Sequence, residues 1–152
     1  MTRTQLIILA AGGSAALLLG AWTFQFFGYP PCKMCIWQRW PHGAAVLIGA
    51  AAIILPFALI PLLGALAAAI TGGIGVFHTG VEKGWWEGPT TCTSGSTVGL
   101  TPQELMEQIL AAPLVRCDEV AWSLFGLSMA SWNAVISLTL VLFWIAAARK
   151  PA

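Results

Sequence analysis

Residues 40–81 read WPHGAAVLIGAAAIILPFALIPLLGALAAAITGGIGVFHTGV and contain no Asp, Glu, Lys or Arg. A transmembrane helix needs about 20 mainly apolar residues, so this stretch is too long for one crossing and suits two. Pro56 and Pro61 frame a short break, because proline lacks the amide hydrogen that a helix interior requires. The stretch therefore predicts two membrane-spanning helices, near 39–55 and 62–80, joined by a tight apolar turn.

The composition of the whole chain is that of a membrane protein. Of its 152 residues, 58% are hydrophobic and 9% are charged, whereas a soluble domain carries about 25% charged residues. The length favours one domain, residues 1–152. A net charge of +1 offers no basic surface, so we expect no nucleic-acid partner. All six acidic residues lie between 82 and 119, which marks the one sizeable region outside the bilayer.

Two further apolar runs complete the predicted fold. The run 6–27 predicts a retained first helix; a cleaved signal peptide is the alternative, but aromatic residues stand where its small-residue cleavage site belongs. The run 122–148 predicts a fourth helix. The predicted fold class is therefore an all-α membrane protein, a four-transmembrane-helix bundle with a short first loop (28–38) and a long second loop (81–121). In the third helix, small residues four apart predict a close helix–helix contact: Gly64, Ala68 and Gly72.

Four spans place both termini on one side of the membrane and both loops on the other. Counted strictly, four positive residues on the loop side against three on the terminal side, the positive-inside rule would point to the opposite orientation from the one the cysteines favour. The terminal side carries Arg3, Arg149 and Lys150, and the loop side carries Lys33, Arg39, Lys83 and Arg116. All four cysteines lie in the loops, and disulfides persist in oxidising compartments. We therefore expect the loops outside the cytoplasm and both termini inside it.

The long loop contains a predicted surface helix. Thr101 and Glu104 form a capping box with Pro102 at the first helical position, which predicts a helix over 102–112. This helix either lies flat on the bilayer or packs on the loop itself. The tryptophans that flank the loop favour the membrane interface: Trp85, Trp86 and Trp122.

The four cysteines form two pairs with very different spacing. Cys32 and Cys35 form a C-x-x-C, a spacing typical of redox couples and too short for much entropic stabilisation. A disulfide between Cys92 and Cys117 would contribute about 3–4 kcal/mol by loop entropy. This second pair is either a structural staple or a second redox couple. An all-cysteine zinc site is the competing interpretation; the unequal spacing disfavours it, and we expect no metal.

Four polar residues in or near the predicted spans are further candidates. Arg39 lies one turn after Cys35, where a guanidinium favours the reactive thiolate and stabilises negative charge on a lipid-soluble electron acceptor. The alternative is that Arg39 only snorkels to the interface. His78 either donates a hydrogen bond or a proton to a cofactor or is a satisfied interhelical residue. His42 is expected to be structural, and Asn133 to form interhelical hydrogen bonds.

Together these features resemble the bacterial disulfide bond formation protein B (DsbB) family. The matching segments are PCKMCIWQR (31–39), FHTGVEKGWWEGPTTC (77–92) and CDEVAWSLFGLSMASW (117–132). The chain departs from the family pattern at Gln38, where a glutamate is common, and in its short first loop. These departures leave the preferred partner and the quinone type open.

The resemblance implies an enzyme of the bacterial inner membrane that supports disulfide bond formation. It would reoxidise a periplasmic thioredoxin-fold protein similar to DsbA and pass the electrons to ubiquinone or menaquinone from the membrane pool. Carried over by position, Cys92 would be attacked by the partner's thiolate. Cys117 would then exchange with Cys32 and free Cys35 for the quinone. The implied catalytic residues are Cys32, Cys35, Cys92 and Cys117, and the implied cofactor-binding residues are Arg39, His78 and Cys35.

Other protein classes make different predictions. A relative of vitamin K epoxide reductase would carry its active C-x-x-C late in the chain, at the final helix. A tetraspan structural protein would hold four non-exchangeable half-cystines and no quinone. A small transporter is disfavoured because no acidic residue lies within a predicted span.

Overall fold

The computed structural model describes residues 1–93, 99–111 and 115–151. Within them the chain forms five α-helices and one antiparallel hairpin of two-residue strands. The helices are α1 (Arg3–Phe26), α2 (Lys33–Ile54), α3 (Leu59–Glu82), α4 (Pro102–Ala111) and α5 (Met129–Ala148), and the strands are β1 (Ser123–Leu124) and β2 (Leu127–Ser128). The four long helices pack as a bundle in which α2 lies between α1 and α3, and α5 contacts both α1 and α3.

Among the described residues, three helices are long and apolar enough to cross a membrane: α1, α3 and α5. The fourth long helix, α2, has 22 residues, but its first turns carry Lys33, Gln38 and Arg39 and are less apolar. The chain is therefore a mainly helical membrane protein, and a crossing by α2 remains a prediction.

Two predicted helix starts are corrected by the structure, which also adds a short β-hairpin to the mainly helical fold. The second helix begins at Lys33 rather than near 39, because the Cys32 sulfur caps it by accepting a hydrogen bond from the Cys35 amide at 3.2 Å. The fourth begins at Met129 rather than 122. The residues before it form the hairpin, whose turn places Phe125 in the left-handed region (φ 52°). The first loop is therefore shorter, and the second longer, than predicted.

The predicted surface helix is confirmed as α4. The Thr101 amide donates to Glu104 Oε2 at 2.7 Å and the Glu104 amide donates to Thr101 Oγ1 at 3.4 Å, which forms the predicted capping box. Residue 112 lies outside the described residues. Met106, Ile109 and Leu110 are 58%, 60% and 79% exposed, so α4 does not bury its apolar face against the described part of the loop. Contact with the bilayer surface remains a prediction.

The predicted close contact of the third helix is confirmed between α3 and α5. A Cβ atom added at Gly64 would lie 2.6 Å from the ring of Trp144, which is fully buried. One added at Gly75 would lie 3.0 Å from the Ala134 backbone nitrogen. Small residues on α3 therefore let the two helices approach closely, as is common in membrane bundles.

Candidate functional site

The structure brings all four cysteines together at one end of the bundle. Cys92 and Cys117 form a disulfide with their Cα atoms 5.3 Å apart. Cys32 and Cys35 are free thiols with their sulfurs 2.7 Å apart. Cys32, Cys92 and Cys117 belong to one buried cluster, and Cys35 packs against it. The disulfide and the dithiol are thus neighbours, although long stretches of sequence separate them.

The two sulfurs of the C-x-x-C occupy different positions on the first turn of α2. Cys32 is the N-cap residue and Cys35 is the third residue of the helix. A hydrogen bond with the Cys35 sulfur and burial raise the pKa of the Cys32 thiol above its ordinary value. The raised pKa favours Cys32 as the protonated donor of the hydrogen bond between the two sulfurs and Cys35 as its acceptor, the sulfur favoured as thiolate.

The disulfide is less accessible than the sequence suggested. The small polar residues around Cys92 in the sequence favour a reachable sulfur, but Cys92 is only 1% exposed and Cys117 is 0% exposed. Of the segment TTCTSGST (90–97), residues 94–97 lie outside the described residues. Attack on this disulfide therefore requires local opening of the loop. Because the two sulfurs are bonded to each other, the four-cysteine zinc site is not formed in this state.

A smaller set of metal-type ligands does meet in this region. One sulfur each from Cys32 and Cys35 and a ring nitrogen of His78 lie within 4.8 Å of one another. Such a set suits a soft ion in principle, and the expectation of no metal remains a prediction.

An apolar cavity of about 380 Å³ adjoins the C-x-x-C. Cys35 lines it, whereas Cys32 is not among its lining residues. Aromatic side chains supply much of its wall, including Phe24 of α1 and Trp122, whose ring centroids are 4.9 Å apart. Cys32 and Cys35 both line a second, much smaller cleft of about 40 Å³. Cys35 is therefore the sulfur that faces both spaces.

Arg39 lies at the same cavity as Cys35, which confirms that the two share a helical face. Its Nη1 donates to Gln25 Oε1 at 2.8 Å and its Nη2 donates to the Ala21 carbonyl at 3.4 Å. Both contacts anchor the guanidinium to α1. The remaining group, Nε, is buried and has no hydrogen-bond partner among the described residues. Arg39, a residue of the cavity lining, thus has one buried N–H donor, Nε, that no described residue pairs with.

His78 lies between the cysteines and the bundle interior and lines the cavity as well. Its Nδ1 is 3.0 Å from Gln38 Nε2, and its Nε2 is 3.6 Å from the Cys32 sulfur and 3.9 Å from Glu82 Oε1. An amide nitrogen only donates, so Nδ1 accepts and the ring proton lies on Nε2, beside Cys32. Both sequence interpretations of His78, cofactor neighbour and interhelical residue, are therefore compatible with its position.

A polar network inside the bundle was only partly predicted. Asn133 forms interhelical bonds as expected: its Nδ2 donates to Gln38 Oε1 at 2.6 Å and to the Thr71 carbonyl at 3.3 Å. His42 Nε2 donates to Asn133 Oδ1 at 2.8 Å. The sequence reasoning noted Gln38 only as a departure from the family and gave no role to Thr71. A polar residue within an apolar span was the signal that could have identified both.

A helical membrane protein with a disulfide packed against a dithiol belongs to the class of membrane thiol–disulfide redox proteins. Comparison with known families makes this specific: the model of "Disulfide bond formation protein DsbB" matches residues 3–147. The chain belongs to this family. It is a membrane redox enzyme that acts in disulfide bond formation.

Individual relatives agree with this assignment. The chain is 31% identical over 153 residues to disulfide bond formation protein B of Pasteurella multocida, an alignment that covers 90% of this chain and 84% of the relative. It is 30% identical over 134 residues to the protein of that name from Haemophilus influenzae, covering 84% and 76%. An uncharacterised protein of Rickettsia prowazekii is 25% identical over 123 residues, covering 77% and 70%. No solved structure shows a significant match.

Proposed function

We propose that this protein is a protein-dithiol:quinone oxidoreductase of the bacterial inner membrane. It reoxidises a periplasmic thioredoxin-fold protein similar to DsbA and passes two electrons to ubiquinone or menaquinone. The observation that carries the proposal is the division of the C-x-x-C. Cys32 packs in the buried cluster with the disulfide, whereas Cys35 lines the apolar cavity. The C-x-x-C thus adjoins both the Cys92–Cys117 disulfide, which the protein substrate would attack, and a site for a lipid-soluble acceptor.

In the proposed orientation, all four long helices cross the membrane and both termini are cytoplasmic. The two loops, with the cysteines, the hairpin and α4, then lie on the periplasmic side. This arrangement places the disulfide where a soluble periplasmic partner can approach it. It also leaves the apolar cavity within the outer leaflet.

The protein-side chemistry is two rounds of thiol–disulfide exchange, each an attack followed by a resolution, and together they conserve electrons. A thiolate of the partner attacks the Cys92 sulfur, which forms a mixed disulfide and releases Cys117 as a thiolate. The second partner thiol resolves the mixed disulfide, so the partner leaves oxidised. Cys117 attacks Cys32 when Cys32 is bonded to Cys35, and this exchange frees the Cys35 thiolate. Cys92 then attacks Cys117 and releases Cys32, which restores the Cys92–Cys117 disulfide. Both electrons then reside on the Cys32–Cys35 dithiol beside the cavity.

The residues that line the cavity fit a quinone. Its walls are mainly apolar and aromatic, and Arg39 Nε is a buried donor with no partner among the described residues. A quinone carbonyl would satisfy that donor, which otherwise carries a desolvation cost. When bound, a quinone supplies the acceptor for two electrons and two protons. Arg39 would hold it, and Cys35 would deliver the electrons.

Within this proposal, Arg39 and His78 have separate tasks. Arg39 is anchored to α1 through Gln25 and Ala21, so its position does not depend on the ligand. The His78 Nε2 proton faces the Cys32 sulfur, where it stabilises negative charge as Cys32 enters and leaves a disulfide. Gln38 fixes the tautomer that makes this possible.

The test is quinone reduction by purified protein in lipid vesicles, with a reduced thioredoxin-fold dithiol protein as the electron donor. We expect turnover in the wild type and none in Cys35→Ser. Cys92→Ser separates the two pairs: it should lose turnover with the protein donor but keep slow turnover with dithiothreitol, which reaches the C-x-x-C directly. Failure to reduce either quinone, with all four cysteines remaining oxidised, would favour a structural protein with a stapled loop.

A further inference from the structure

His42 is a buried side chain at the cavity for which the proposed function gives no task. It lies one turn after Arg39 on α2, is only 3% exposed and belongs to the cavity lining. Its Nε2 donates to Asn133 Oδ1 at 2.8 Å. Its other ring nitrogen, Nδ1, is buried and has no hydrogen-bond partner in the described part of the chain.

The neighbours of His42 fix its tautomer. Asn133 Nδ2 donates to the Thr71 carbonyl and to Gln38 Oε1, so Asn133 Oδ1 is the atom that faces His42. Because Oδ1 only accepts, the ring proton lies on His42 Nε2. A second proton on Nδ1 would make a buried cation beside Arg39 at a cavity with no acidic lining residue, which is unfavourable. Nδ1 is therefore an acceptor without a donor.

We propose that His42 Nδ1 accepts a hydrogen bond from a hydroxyl group of the reduced quinone, so that the cavity binds quinol more tightly than quinone. This inference rests on the proposed function and adds a specificity-determining residue to it. A quinone oxygen only accepts hydrogen bonds and cannot satisfy Nδ1, whereas a quinol hydroxyl donates one.

Arg39 and His42 offer the ligand opposite hydrogen-bonding groups, a donor and an acceptor. The unpaired Nε of Arg39 donates, and it pairs with an oxygen of either redox form. The unpaired Nδ1 of His42 accepts, and it pairs only with the reduced form. His42 is thus the group that distinguishes product from substrate. A preference for quinol favours electron transfer from the dithiol to the bound ligand and slows product release.

The test compares binding of decylubiquinone and decylubiquinol to a redox-inert parent, Cys32→Ser/Cys35→Ser, in detergent. Quenching of tryptophan fluorescence reports binding, since Trp122 and Trp132 line the cavity. His42→Gln keeps a donor for Asn133 but removes the Nδ1 acceptor. We expect it to weaken quinol binding about 3- to 10-fold and to change quinone binding less than twofold, in line with the loss of one hydrogen bond.

A second variant separates hydrogen bonding to the ligand from support of the fold. His42→Asn keeps an acceptor near the position of Nδ1 but loses the donor at Nε2, so it should retain the preference for quinol. A purely structural His42 predicts the reverse order, or equal weakening of both ligands in both variants. Either of those results would overturn the proposal.

Nitrogen NMR of the parent gives a readout that needs no substitution at His42. The chain has two histidines, so histidine labelled with ¹⁵N yields two rings, assigned with His78→Gln. Quinol should shift the unprotonated His42 Nδ1 signal, and quinone should leave it in place. Binding of both forms without that shift would refute the role of His42 alone. A parent that binds neither form would refute the proposed function as well.

Discussion

Replacing Gln38 by methionine would remove the centre of the polar network while keeping a side chain of similar length and volume. Gln38 is 6% exposed, and its amide serves two partners on other helices. Without it, His78 Nδ1 is a buried acceptor with no donor, which costs about 1–3 kcal/mol. Asn133 Nδ2 keeps its contacts with Thr71, so its lost bond costs only about 0.5–1.5 kcal/mol. We expect a net loss of about 2–4 kcal/mol.

The assay is unfolding of the protein in detergent by denaturant, followed by helical circular dichroism. Gln103→Met is the matched control, since Gln103 is exposed on α4, and it should change stability by less than about 0.5 kcal/mol. Gln38→Glu adds a second comparison. It keeps the acceptor for Asn133 but offers His78 no donor, so the ring proton should move to Nδ1. If Gln38→Met were as stable as the wild type, the network would not contribute as argued.

Three further predictions concern packing, pH and ligand binding. Gly64→Ala should lower stability by about 1–3 kcal/mol because its Cβ would lie 2.6 Å from a buried tryptophan ring, whereas Gly73→Ala, with nothing within 4 Å, should not. A hydrogen bond from Arg116 lowers the pKa of Asp118. The pair therefore stabilises the fold above the unfolded pKa of about 4; Asp118→Asn should cost under about 1 kcal/mol at pH 7 in thermal unfolding, and the difference should vanish as pH falls. Arg39→Lys removes the Nε donor and should raise the KM for quinone about tenfold in the turnover assay, whereas an unchanged KM would exclude Arg39 from the site.

Much of the bundle follows from the sequence because membrane insertion imposes simple rules. Continuous apolar stretches of sufficient length predicted the long helices, and Pro56 and Pro61 predicted the break between α2 and α3. The small residues of α3 predicted a close helix–helix contact, and the structure shows that α5 is the partner. The capping box at Thr101 predicted the start of α4. Each of these signals is local or has a fixed spacing.

The errors arose where a helix end depended on an unusual residue. Helix α2 begins six residues early because a cysteine sulfur caps it, whereas the usual capping residues are Ser, Thr, Asp and Asn. Helix α5 begins late because Phe125 adopts a left-handed conformation that is rare outside glycine. Neither residue type carries a reliable boundary signal, so hydropathy alone placed both ends wrongly.

The candidate site was predicted in its residues but not in its arrangement. The C-x-x-C and Arg39 were identified from spacing. The burial of Cys92 was missed because its polar neighbours favour exposure, while tertiary packing against the first turn of α2 buries it. His42 was assigned a structural role because sequence spacing does not show which ring nitrogen lacks a partner. That His42 Nδ1 lacks a hydrogen-bond donor is seen only once the neighbouring helices are in place.

The placement of Cys32 and Cys35 on one helical turn has a consequence for how reactants are kept apart. In the proposed cycle, a soluble thiol that bypasses the loop disulfide would have to enter either the apolar cavity or the narrow cleft of about 40 Å³ to reach Cys35. A membrane-dissolved oxidant would have to leave that cavity to reach Cys92 or Cys117. The first turn of α2 thus keeps the water-soluble reactant and the lipid-soluble reactant physically apart. In the proposed cycle, electrons pass from the donor to the acceptor through Cys32 and Cys35. This geometry disfavours direct reaction between the soluble thiol and the quinone.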